Sequence, residues 1–252
     1  MSERMRIGSL FSGIGGLELG LEQSGLGYTT WQVEADAFCR SVLARHWPRV
    51  KRYEDVREVG RHNLEAVELI CGGFPCQDIS VAGRGAGLAG ARSGLWYEFL
   101  RVVEELRPAW VVVENVGHGS SRWVDGARQD LELEGYETLP VPLAAKHCGA
   151  PHIRSRVFVV AHAEREQLRE LEQRVPARRA HRIRYEGEAE LVDPREARRW
   201  QPLPELCRSD DGVPRELDRA RLRALGNAVV PRVAEVVGHV VSQWHAQIVD
   251  ER

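Results

Sequence analysis

The passage that most constrains the fold lies between residues 93 and 113. Leu95, Phe99, Val102, Val103 and Leu106 recur at helical spacing and predict an amphipathic helix over residues 93–107. Pro108 stops it. Ala-Trp-Val-Val-Val follows at once and ends in Glu114-Asn115. A strand apolar on both faces has to be covered by helices on both sides, which is the condition of a parallel sheet.

The same alternation runs along the first half of the chain. Residues 6–11 read as a buried strand, 12–16 as a glycine-rich turn, and Leu17, Leu19 and Leu21 begin a helix ending near Gly25. A strand over 29–34, a helix over 37–46 closed by Pro48, an apolar run at 68–72, a helix at 127–134 and a strand at 157–161 complete the pattern. Strands alternating with helices indicate an α/β sandwich of Rossmann-like type with a mostly parallel central sheet. The character changes near residue 163. Residues 164–199 are crowded with charge, and Arg174, Arg178, Arg179, Arg182 and Arg184 fall in a run without an acidic residue. Order returns with helical patterns at 217–225 and 231–248. The expected organisation is one α/β domain from residues 1–163 together with 215–252, carrying a small irregular insert at 164–214.

With 43% hydrophobic and 29% charged residues, the composition is that of an ordinary soluble globular protein. No apolar run approaches the roughly 20 residues that cross a bilayer. The first residues lack the layout of a secretory signal, so a cytoplasmic location is expected. The five cysteines are scattered without a Cys-x-x-Cys pair, which points to neither a zinc site nor a disulfide framework. A net charge of −2 argues against a uniformly basic coat but leaves room for a local basic patch. Arginine greatly outnumbers lysine, which suits bidentate phosphate contacts; codon bias explains the excess equally well.

Two segments carry chemistry. Phe11-Ser12-Gly13-Ile14-Gly15-Gly16 lies between a strand and a helix, where glycines let the backbone approach a ligand. Glu34 stands about 20 residues on, where a carboxylate can accept from ribose hydroxyls. Asp55 could address an adenine amino group. By themselves these residues suit a nucleotide turn or an ordinary tight turn, and the third glycine of a dinucleotide site is missing. The second segment, Cys71-Gly-Gly-Phe-Pro-Cys76-Gln77, directly follows an apolar strand. A thiol on a loop at the carboxyl end of a parallel strand sits where open α/β folds do chemistry. Cys39, Cys71, Cys148 and Cys207 read instead as buried structural thiols.

Gly-Phe-Pro-Cys-Gln after one strand and Glu114-Asn115-Val116 ending the next resemble the DNA cytosine-C5 methyltransferase family. The glycine turn resembles that family's methionine-binding loop, and residues 83–95 its mobile loop. Cys148-Gly-Ala-Pro-His-Ile-Arg154-Ser-Arg156 resembles its arginine-bearing strand, and Leu225-Gly-Asn-Ala-Val-Val-Pro231 its C-terminal signature. The resemblance spans residues 6–239. It implies S-adenosyl-L-methionine as methyl donor, S-adenosyl-L-homocysteine as product, and no metal.

The resemblance also assigns roles. Cys76 would add to carbon 6 of a flipped-out cytosine, Glu114 would bond the exocyclic amine and N3, and Arg154 and Arg156, expected to share one face of a strand, would contact cytosine O2 and steady the nucleophile. Phe11, Ser12, Gly13, Ile14 and Gly16 would hold the methionine end and Glu34 the ribose. Ala35, Asp55 and Val56 would lie near adenine, with Gly73, Pro75, Leu95, Asn227 and Val229 completing the pocket. Gln77, Ser80, Arg84 and Asn115 would meet DNA, as would Arg174, Arg178, Arg179, Arg182 and Arg184 of the insert.

The partner implied is double-stranded DNA, with a cognate restriction endonuclease as an optional companion and a monomer as the working unit. The family's tRNA-methylating branch and a non-catalytic DNA-binding relative are the alternatives. Three features depart from the family: Ala35 replaces a large apolar or aromatic residue, His152 stands where Gln is common, and the insert is short. A short insert predicts a short recognition sequence.

Overall fold

The computed structural model describes residues 4–75, 94–116, 122–163 and 215–250. Val111, Val112 and Val113 are fully buried, because strand β5 (Trp110–Val116) lies inside a sheet that, among the described residues, has seven strands in the order β3-β2-β1-β4-β5-β7-β6. β1 (Met5–Leu10), β2 (Gly27–Val33), β3 (Lys51–Tyr53), β4 (Leu69–Gly72) and β5 pair in parallel. β7 (Ser155–Ala163) runs antiparallel to both β5 and β6 (Tyr136–Ala144). The mostly parallel α/β sheet expected from the sequence is thus present.

Side-chain alternation divides the core into two layers. Val111 and Val113 join Leu10, Ile70, Trp96 and Phe99 on one face. Trp110 and Val112 join Ile7, Leu17, Leu21 and Val237 on the other. Helices α3 (Gly94–Leu106) and α4 (Arg122–Leu133) therefore cover the first face. Helices α1 (Gly16–Gln23) and α6 (Pro231–Asp250) cover the second. Helix α2 (Ala37–His46) links β2 to β3, and α5 (Arg215–Asn227) precedes α6. The helices lie within a few residues of their expected bounds, and α2 matches its range.

Close helix packing on the second face depends on glycine. A Cβ at Gly20 would stand 2.2 Å from the Pro231 carbonyl, so α1 meets the start of α6 backbone to backbone. Two strands escape the sequence reading. β3 has only three residues, and β6 carries Pro140 and Pro142. Prolines argue against a central strand; β6 accommodates them because, among the described residues, it is the last strand of the sheet and pairs only with β7. Among the described residues no helix is long and apolar enough to cross a membrane.

The chain order reverses between β1 and β4, the strands that lead outward to β2 and to β5. In open α/β sheets the carboxyl ends at such a switch bound a crevice.

Candidate active site

A cleft of about 830 Å³ opens at those strand ends. Its walls include Phe11, Ser12, Gly13, Ile14 and Gly16 after β1, and Glu34 and Ala35 after β2. Asp55 and Val56 follow β3, Gly73 and Pro75 follow β4, and Leu95, Asn227 and Val229 come from α3 and the α5–α6 junction. Every residue that the sequence suggested for the cofactor thus reaches one cavity, as do Glu114, Asn115 and Arg156. Cys76, Gln77, Ser80 and Arg84 lie outside the described residues, and so do Arg174, Arg178, Arg179, Arg182 and Arg184.

The glycine turn is held in place before any ligand is considered. Glu34 accepts hydrogen bonds from Gly13 N at 2.7 Å and Asp36 N at 2.8 Å, so its carboxylate is fixed between the turn and the start of α2. Gly13 has φ 57°, a left-handed conformation that favours glycine, and nothing stands within 4 Å of where its Cβ would be. Open space over a bare backbone is the condition for close ligand approach. Gly16 is needed for a different reason: a Cβ there would lie 2.1 Å from the Val229 carbonyl.

Glu114 sits near the end of β5 with its side chain 9% exposed, and Arg156 Nε donates to its Oε1 at 2.8 Å. Burial raises the Glu114 carboxyl to about 7, against the opposing pull of Arg156 and then Arg154. Gly73 leaves the space this carboxylate occupies, since a Cβ there would stand 2.6 Å from Glu114 Oε2. Asn115 is buried, and its Nδ2 donates to the Phe74 carbonyl at 2.9 Å. Its side chain therefore braces the loop that leads from β4 to Pro75, which is where the structure places this expected DNA contact.

Arg154 corrects the sequence reading. The two arginines were expected to alternate along one strand face, but β7 begins at Ser155 and Arg154 precedes it with φ 32°. Its guanidinium donates to the Gly226 and Ala228 carbonyls, clamping the α5–α6 junction. Arg156 alone of the two lines the cleft. Asp55 is likewise engaged, capping a short 3-10 turn by accepting from Arg57 N at 2.9 Å.

The described cysteines Cys39, Cys71 and Cys148 are all buried. Burial, with Glu34 and Asp36 adding to it, pushes the Cys39 thiol up to about 12. Cys71 and Cys148 are raised for the same first reason, burial. Such thiols are poor nucleophiles.

Sequence reasoning missed Glu18, Asp36 and Arg223, which also line the cleft. Glu18 is fully buried on α1 beneath the glycine turn, where burial raises it to about 7 against hydrogen bonds from its own backbone, Ser9, Ser12 and Gln32. Its Oε2 and the Gln32 Oε1 have no partner among the described residues, so a protonated Glu18 supplies a donor where two acceptors otherwise stand unpaired. Helical spacing marks Leu17 and Leu21 as core but carries no sign that the carboxylate between them turns inward.

A stability effect follows. Folding raises the pKa of Glu18 from the ordinary 4.5 to about 7, so the unfolded chain releases this proton first. Stability should therefore fall as pH rises across that window, by roughly 3 kcal/mol for this group. Glu18→Gln is expected to unfold close to wild type at pH 4.5 and at higher temperature than wild type at pH 8. Parallel melting curves across that range check it, and a pH-independent difference would refute it.

The sheet order, the crevice at its switch point and the buried acid beside an arginine describe an α/β fold whose cleft has room for a nucleotide-like ligand next to a buried carboxyl. A family model for C-5 cytosine-specific DNA methylases matches residues 5–202. The chain belongs to that family.

Among curated relatives it is 37% identical over 166 residues to the Type II methyltransferase M2.BsuMI of Bacillus subtilis, covering 62% of this chain and 42% of that protein. It is 34% identical to M.AquIA of a Picosynechococcus strain, covering 60% and 69%. The chain spans about half the length of most of the curated relatives it matches most strongly. A protein encoded within an E. coli prophage superposes with a TM-score of 0.52 at 27% identity over 66% of this chain and 48% of its own. The Dnmt2 methyltransferase of S. pombe shares the fold, with a TM-score of 0.52 at 19% identity over 69% of this chain and 56% of its own.

Proposed function

We propose that this protein methylates carbon 5 of cytosine in a short sequence of duplex DNA, with S-adenosyl-L-methionine as donor and S-adenosyl-L-homocysteine as product. The observation that carries this reading is the buried Glu114 carboxyl, raised to about 7 and bonded to Arg156, in the same cleft as the Glu34-braced glycine turn. The cleft suits the cofactor: Gly13 gives open space for close approach, and the Glu34 carboxylate, though engaged with two N–H groups, keeps lone pairs for ribose hydroxyls. When bound, the cofactor supplies an electrophilic methyl group.

The chain's own residues have to make a poor nucleophile into a good one. Carbon 5 of cytosine is electron-poor. Addition of the Cys76 thiolate to carbon 6 forms a C–S bond and moves the ring electrons toward N3 and carbon 5. Protonated Glu114 gives its proton to N3 as that charge develops, and Arg156 steadies the carboxylate left behind. After methylation a base takes the carbon 5 proton, N3 returns its proton to Glu114, and the electron pair released at carbon 5 expels Cys76 and restores the ring double bond. A stacked base cannot present carbon 6, so the cytosine has to be rotated out of the duplex. Gln77, Ser80 and Arg84 are the candidates for closing over it, and the arginines at 174–184 for phosphate contact. We assign residues 164–214 as the target-recognition insert. Monomeric action and an optional endonuclease partner complete the reading.

Duplex DNA containing 5-fluorocytosine, incubated with S-adenosylmethionine, should form a denaturant-stable complex, because fluorine cannot leave as a proton. The same assay with fluorinated tRNA should give none. A stable complex on tRNA alone would move the substrate to RNA, and no complex on either would refute the mechanism.

A further inference from the structure

Helix α5 and the residues after β2 both contribute to the wall of the cleft. Both present small groups there: Ala35 from one, Ala220 and Ala224 from the other. The long side chain that α5 adds to this part is Arg223. Its Nη2 donates to Asp36 Oδ2 at 2.5 Å, joining residues 187 apart in the chain. Asp36 is itself fixed, because it caps α2 by accepting from Cys39 N at 3.0 Å.

The Arg223 side chain is 67% exposed, and so open an ion pair contributes little to stability. Its consequence is positional. The carboxylate fixes to the residue after Ala35 a guanidinium from the stretch of α5 that also brings Ala220 and Ala224 to the cleft wall. Glu34, Asp55 and Val56 line the same cleft. Small methyl groups leave room for a flat ring, and a planar, weakly hydrated guanidinium is the cation suited to lie over its face.

We infer that Arg223, clasped by Asp36, lies over the purine ring of the cofactor and is a binding residue for it. The inference rests on the cofactor reading proposed above and deepens it. Ala35 offers only a methyl group to the base, and the α5 guanidinium supplies the covering that a larger residue at 35 would give. Arg154 fastens the end of the same helix through the Gly226 and Ala228 carbonyls, so the part of α5 that carries Arg223 is held just beyond it as well.

Calorimetric titration of S-adenosylhomocysteine and of adenosine into wild type and variants tests this. Arg223→Ala should weaken both ligands by about 2- to 30-fold, the range of a cation over an aromatic ring. Arg223→Lys, which keeps the charge opposite Asp36 but not the plane, should retain most of that loss. Asp36→Asn should fall between, and the ligand-free melting temperature of the Arg223 variants should stay near wild type. Affinity within twofold of wild type in Arg223→Ala, or full affinity in Arg223→Lys, would overturn the inference. Failure of wild type to bind S-adenosylhomocysteine at all would overturn the reading of the cleft, and the inference with it.

Discussion

Replacing Cys76 with serine is expected to abolish the covalent complex with 5-fluorocytosine DNA and to lower methyl transfer on the order of 10⁴-fold or more, the scale of losing a covalent nucleophile. A hydroxyl is too weak an acid to supply an anion at neutral pH, whereas a thiol supplies one readily. The neighbouring thiols offer no substitute. Cys71, five residues earlier, is buried in β4 and raised by burial and by Glu18, and Cys39 is pushed up to about 12. Binding of S-adenosylhomocysteine should be unchanged in Cys76→Ser, because the glycine turn and Glu34 are positioned by β1 and β2. Mass spectrometry of trapped complexes checks the result. An adduct persisting in the serine variant, or mapping to another cysteine, would remove Cys76 from the mechanism.

Glu114→Gln should reduce methyl transfer by roughly 10²- to 10⁴-fold, the usual contribution of a positioned general acid. The amide can still meet the base edge but has no proton to give to N3. The pH dependence separates this from a merely structural loss. Burial raises the Glu114 carboxyl to about 7, so the donor form prevails below that pH and is lost above it. The thiolate population rises with pH, in the opposite sense. Wild type should therefore show a bell-shaped profile, with Glu114 setting the alkaline limb of the free enzyme. In Glu114→Gln that limb should vanish along with most of the rate. Retention of the limb would assign it to another group. Arg156 loses its counter-charge in this variant, so a melting curve beside the kinetics guards against misreading a loss of stability as a loss of chemistry.

Much of the architecture was legible because hydrophobic period is a local property. The helix over 93–107 and the valines after Pro108 declare a covered parallel strand, and the observed α3 and β5 follow within a few residues. Strand β6 was illegible because Pro140 and Pro142 argue against pairing, and nothing local reveals that a strand lies at an edge. The cleft was legible to the extent that its residues stand at the ends of strands the sequence declares: Glu34, Gly73 and Glu114 each follow or close one. Arg154 was misplaced because alternation along a strand was assumed across a residue that turns away with φ 32°.

The sequence by itself therefore determined the covered sheet, the glycine turn and the order of groups brought to one end of it. All of these depend on residue type and on spacing of a few residues. Tertiary structure alone decided that Glu18 turns inward beneath that turn, that Gly73 makes room for Glu114, and that Arg154 holds a helix junction. It alone brings Arg223 to Asp36 in the wall of the cleft. Burial and long-range pairing set the charge states and the closure of the site, and both are properties of the packed chain, with no counterpart in the local pattern that a sequence displays.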